Sequence, residues 1–217
     1  MKFKFLMAAV TGLLLSISGA ANAGLILGLD ATGTGNLTND FTWVVGQEFT
    51  LNNSMTIRSL GAIDADGGGL SQSHEVGLWN LSGSLLAYTV IDNTSVVVAS
   101  QYTGAQWYMN DIIDTFLSAG TYRIAALFHS GGDKMISGAG TQITPDTAVS
   151  ISQGYVRTTN YTSASFQYPT RKFISRRVAA TFSSSSVNVE QVPEPSTLAI
   201  FALGMIGLAS RRFMKQS

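Results

Sequence analysis

The sequence predicts an all-β protein: a single jelly-roll-like β-sandwich, with a short signal helix ahead of it and a transmembrane helix behind it. Three observations carry this. Alternating or apolar runs of strand length recur through the middle of the chain, clusters of Gly, Ser, Thr and Asn separate them, and no sustained helical period lies between the two ends.

At the N-terminus Lys2 and Lys4 precede an apolar stretch from Phe5 to Ile17, followed by small residues up to Ala23. A basic end, an apolar middle and the small pair Ala21 and Ala23 form the order that signal peptidase cuts. Residues 1–23 are therefore expected to leave, and the mature chain to begin at Gly24.

The domain is expected over residues 24–182. Its strand-like runs are Phe41 to Val45, Glu48 to Leu51, Met55 to Leu60, Glu75 to Trp79, Leu85 to Ile91, Val96 to Ala99, Gln106 to Met109, Tyr122 to Phe128, Ala148 to Ile151 and Val178 to Phe182. Asn80-Leu81-Ser82-Gly83 has the composition of a hairpin loop. Ile112, Ile113, Phe116 and Leu117 have helical spacing, which predicts a single helical turn within Asn110 to Leu117. Residues 183–191, opening with Ser183 to Ser186, read as a flexible polar linker.

Residues 192–215 close the chain. Val192-Pro193-Glu194-Pro195-Ser196-Thr197 leads into thirteen apolar or small residues, Leu198 to Ser210, then Arg211, Arg212 and Lys215. As a helix the thirteen would rise about 20 Å, a thin span against a hydrocarbon core of about 30 Å. The basic cluster sets the end on the cytoplasmic side and the domain outside. Pro193 and Pro195 keep the approach extended.

This segment resembles the PEP-CTERM sorting signal of Gram-negative bacteria. The resemblance implies that Pro193, Glu194 and Pro195 are recognised by exosortase, a membrane-embedded cysteine protease, after transient anchoring in the inner membrane. The destination it implies is the cell surface or extracellular matrix. In the body, Ile63 to Trp79, Gly83 to Ala87, Ala119-Gly120-Thr121-Tyr122 and Ala179 to Phe182 are similar to exported β-sandwich domains found ahead of such tails, and to DUF4082-type domains. That likeness implies architecture and address, with no settled activity.

Composition narrows the function. Without the two terminal signals the chain holds eight basic and twelve acidic residues, a net charge of about −4, which argues against a nucleic-acid partner. It has no cysteine, so disulfides and thiolate metal sites are excluded. No G-x-S-x-G elbow and no phosphate-binding Gly-rich loop occurs, so an enzyme is not expected; a secreted hydrolase stands as a further alternative.

Two candidate sites follow from residue type. Asp64, Asp66 and Glu75 fall at the first, third and twelfth positions of a calcium-loop pattern whose fifth position, Gly68, lacks a ligand; calcium is the cofactor this would take. The alternative is a glycine-rich turn whose aspartates bond to their own backbone. Tyr155, Tyr161 and Tyr168, beside the basic residues Arg171, Lys172, Arg176 and Arg177, form a candidate carbohydrate surface. A strand edge guarded by positive charge accounts for the same basic residues. Trp79 reads as core, His74 as a structural histidine and His129 as a loop residue. The function expected is a non-enzymatic exported surface or matrix protein associated with exopolysaccharide or biofilm, the alternative a carbohydrate- or calcium-binding module.

Overall fold

The computed structural model describes residues 25–138, 140–157, 165–173 and 176–188, and the side chains among them except those of 143, 144 and 152–155. The expected signal segment, Tyr161 and the sorting segment lie outside the described residues, as does the side chain of Tyr155.

All regular structure among the described residues is β. The first strands are β1 (Leu29–Gly33), β2 (Asn36–Thr38), β3 (Trp43–Leu51), β4 (Met55–Asp64) and β5 (His74–Asn80). Then come β6 (Leu85–Ile91), β7 (Val96–Ala99), β8 (Gln106–Leu117), β9 (Gly120–Phe128) and β10 (Met135–Ser137). The last are β11 (Thr141–Pro145), β12 (Val149–Arg157), β13 (Arg171–Phe173), β14 (Arg177–Val178) and β15 (Ala180–Ser183).

Period-two alternation explains the layering. In β3, Trp43, Val45, Phe49 and Leu51 join one buried cluster while Val44 joins another. β9 divides in the same way, with Ile124, Ala126 and Phe128 on one face and Ala125 and Leu127 on the other. A six-stranded antiparallel sheet in the order β13-β12-β3-β9-β5-β6 packs its inner face on a four-stranded sheet, β15-β4-β8-β7. The rings of Phe49 and Phe182 stack across this gap at 4.7 Å, one from each sheet. The two-stranded sheet β1-β11 and the three-stranded sheet β14-β10-β2 complete the fold.

The expected runs fall on strands: Leu85 to Ile91 and Val96 to Ala99 keep their bounds, the others shift or lengthen, and Val178 to Phe182 divides between β14 and β15. Phe41 to Val45 and Glu48 to Leu51 fuse into β3, because Gln47 between them is itself buried and pairs with Ile124. The hairpin loop forms as expected: Asn80 N–H reaches Ser84 O and Gly83 N–H reaches Asn80 O, with Gly83 at φ 88°.

Two expectations change. Asn110 to Leu117 is not a helical turn but the second half of β8, paired with β4 on either side of an irregularity between Ile57 and Ser59. Two extra residues on the β8 side of that irregularity interrupt the alternation, so that Ile112 and Leu117 turn inward while Ile113 and Phe116 turn outward, which imitates helical spacing. The serine run is not a free linker either. Ser183 ends β15, and Ser184 to Val187 are bound to β4 and β8, so the compact unit extends to Val187.

Candidate functional site on the outer face of the six-stranded sheet

The outward-facing row of β3, β9 and β5 has small residues at its centre. Gly46 pairs with Ala125, and Ala125 with Gly77. Segment 165–170, leading into β13, crosses this lane. The Phe166 ring lies where a side chain on residue 77 would stand: a Cβ on Gly77 would be 2.6 Å from Phe166 Cζ.

Around that contact an aromatic cluster closes. Trp79 lies 5.2 Å from Phe166 and 6.3 Å from Tyr168, and Tyr88 meets Phe166 edge-on at 5.3 Å. Trp79 is buried beneath them with Val44, Ala125 and Leu127. Tyr168 donates to the carbonyl of Leu81 at 3.2 Å. Tyr88 is 43% exposed and donates to Glu75 at 2.8 Å, so the β6 edge carries the accessible part of the cluster.

A charged group continues the row. Glu48 is buried and accepts from Arg123 Nε at 2.9 Å and from Lys172 Nζ at 2.6 Å. Arg123 also donates to Pro169 O at 2.5 Å and lies 4.9 Å above the Tyr168 ring. Burial pushes the Glu48 carboxyl up, but the hydrogen bonds and charges of Lys172 and Arg123 outweigh it and hold the group below the usual range. An ionised carboxylate held by two cations clamps a strap; it does not carry protons near neutral pH.

The expected calcium residues are not gathered into one site. Both oxygens of Asp64 are turned onto the backbone, accepting from Gly67 N–H at 3.0 Å and Gly69 N–H at 2.8 Å. Asp66 pairs with Lys134 at 3.0 Å, and Glu75 belongs to the other sheet. Among the described residues no group of three His, Cys, Asp or Glu side chains is placed to hold a metal. The turn reading holds instead, with Gly67 and Gly69 at φ 70° and 92°.

Of the expected tyrosine surface, Tyr168 is half-buried against Trp79 and Arg123. The basic residues are dispersed. Lys172 binds Glu48, Arg176 donates to Thr141 O at 3.0 Å, and Arg177 lies 4.6 Å over the Trp43 ring. Sequence reading passed over Glu48, Arg123 and Phe166. Glu48 and Arg123 stood out in one respect, as charges inside otherwise apolar strands.

Past β15 the chain crosses the four-stranded sheet. Arg58 Nη1 donates to Ser184 O at 3.2 Å and Ser59 Oγ to Ser185 O at 3.0 Å. Ser186 Oγ and Val187 N–H both donate to Asp111, at 2.6 and 2.7 Å, and the Val187 side chain is buried. Four residues later begins the stretch, residues 191–212, that matches the family model of the PEP-CTERM protein-sorting motif.

The chain carries a PEP-CTERM sorting motif. Such a motif marks an exported protein that is processed by exosortase at the membrane and then placed at the surface. The match spans 22 residues and leaves the β domain outside it. A family 35 carbohydrate binding module from an environmental isolate aligns with a TM-score of 0.31 and 14% identity, over 58% of this chain and 93% of that one. No curated protein matches.

Proposed function

We propose that this is a non-enzymatic exported surface or extracellular-matrix protein of a Gram-negative bacterium, and that its jelly-roll-like domain works in association with exopolysaccharide or biofilm. The PEP-CTERM motif at 191–212, following directly on a domain docked as far as Val187, carries this reading. Signal peptidase cuts after Ala23, the Leu198 to Ser210 segment anchors the chain in the inner membrane, and exosortase acts at Pro193-Glu194-Pro195.

The test compares the full chain with the Pro193→Ala, Glu194→Ala, Pro195→Ala triple variant in cells with and without exosortase. The wild-type chain should lose its tail and leave the inner membrane where exosortase is present. The variant should keep the tail in both strains. Tail loss that is independent of exosortase or of the motif would overturn the reading.

A second reading, a carbohydrate-binding module, is favoured by the exposed Tyr88 ring with its Glu75 hydrogen bond beside Phe166. Among the described aromatics of this face, Tyr88 is the most exposed. Reproducible binding on a glycan array that is lost in Tyr88→Ala would establish it, and turnover in a hydrolase screen would displace both readings.

A further inference from the structure

The chain enters and leaves the β domain at one place. Leu27 bridges to Ser183, Ser183 pairs with Ser59, and Ser59 pairs with Asp111, so a single register row runs across the four-stranded sheet from the first described residues to β8. Every connection in the row is antiparallel. Ile26, Ser184, Arg58 and the Ile112 to Phe116 segment of β8 therefore all lie on the same side of it, at the end where Val187 is pinned to Asp111.

That end carries the three most exposed large apolar side chains of the described domain: Ile113 at 90%, Phe116 at 67% and Ile26 at 57%. Folding supplies no reason for this, since apolar patches left open on a soluble surface mark contact sites. The charged pair beside them, Arg58 and Asp114 at 3.2 Å, is neutral in sum and does not repel anionic headgroups.

The sequence fixes what lies nearby. Ten residues, 188–197, separate Val187 from the apolar Leu198 to Ser210 segment, a tether of at most about 35 Å. A tether this short holds the patch at an effective concentration of about millimolar at the bilayer, so a weak contact is enough.

We propose that this end of the domain is a membrane-contact surface: Ile26, Ile113 and Phe116 enter the lipid–water interface of the bilayer that holds the C-terminal segment. The contact keeps Pro193-Glu194-Pro195 close to the membrane surface until the tail is cut. This rests on the tail-anchor reading given above.

The chain has no cysteine, so single substitutions can be labelled uniquely. The full chain, carrying Ile26→Cys, Ile113→Cys or Phe116→Cys with an environment-sensitive fluorophore, is reconstituted into vesicles of phosphatidylethanolamine and phosphatidylglycerol. Thr103→Cys is the control, exposed near the far end of β8, and Met205→Cys reports the tail. A lipid-borne quencher should lower the signal about twofold at 26, 113 and 116, as shallow interfacial burial requires, and leave 103 unchanged. Quenching at 205 without quenching at 26, 113 and 116 overturns the contact surface and leaves the anchor standing. Absence of quenching at 205 overturns the anchor and the contact together. Shielding of 113 and 116 from an aqueous quencher without lipid quenching would assign the patch to a protein partner and also overturn the proposal.

Discussion

His74 Nε2 lies 2.8 Å from Asp133 Oδ2, and both side chains are buried. The other ring nitrogen, Nδ1, lies 2.9 Å from the carbonyl oxygen of Leu127, so each ring nitrogen faces an oxygen. Asp133 also accepts from Ser71 N–H, Ser71 Oγ and Gln72 N–H at 2.6 to 3.1 Å. One carboxylate thus ties the Ser71–Gln72 loop to the start of β5. Replacing it by Asp133→Ala leaves the His74 ring and two backbone donors without their partner. The expected cost is about 3 kcal/mol, read by chemical denaturation.

The same group gives the domain an acid sensitivity. Burial raises the Asp133 carboxyl, but the hydrogen bonds from Ser71, His74 and Gln72 outweigh it and hold it below its ordinary value of 3.8; Glu48 is held below 4.5 in the same way. A carboxyl whose folded value is lowered contributes stability in full above its unfolded value and loses it as pH falls through the folded one. The melting temperature should therefore fall as pH drops below the ordinary carboxylate values, and Asp133→Asn should flatten that fall. Equal slopes in the two proteins would count against the assignment.

Glu48 and its two cations should respond unequally. Glu48→Gln strands the buried Arg123 guanidinium and should cost about 3 to 5 kcal/mol. Lys172, half exposed, should cost less than about 1 kcal/mol on replacement by Met, because water screens its side of the contact. Thermal melts of both variants check the ordering.

Gly77→Val should displace Phe166 from the outer face, since even a Cβ at that position stands 2.6 Å from its ring. Trp79 would then meet water. The measurement is tryptophan emission, expected to shift red in Gly77→Val and in Phe166→Ala, with unfolding free energy reduced by about 1 to 3 kcal/mol.

Calcium at millimolar concentration should leave the melting temperature unchanged, because Asp64 spends both oxygens on Gly67 and Gly69. Asp64→Ala should still destabilise by about 1 to 3 kcal/mol through the two donors it releases. A calcium-dependent rise that Asp64→Ala abolishes would restore the cation site.

Asp111→Ala should release Ser186 and Val187 and open the 184–188 segment to limited proteolysis, with little change in the melt of the remaining domain. Unchanged proteolysis would mean that Val187 burial and the Arg58 and Ser59 bonds hold the segment without Asp111.

The sequence by itself determined the strands that alternate or run apolar, because inward burial leaves its mark at every second residue; β6 (Leu85–Ile91) and β7 (Val96–Ala99) have the expected bounds. It also determined the sorting motif, which is read as a linear string. Tertiary structure decided what depends on partners distant in the chain. β10 (Met135–Ser137), β13 (Arg171–Phe173) and β14 (Arg177–Val178) are too short to show a period and form because neighbouring strands offer them backbone groups. Asp64 and Glu75, eleven positions apart and suggestive as ligands, were sent to different sheets. Asp111 and Val187, 76 positions apart, were brought to one hydrogen bond, and contacts of this kind across the four-stranded sheet extend the domain through the serine run to Val187.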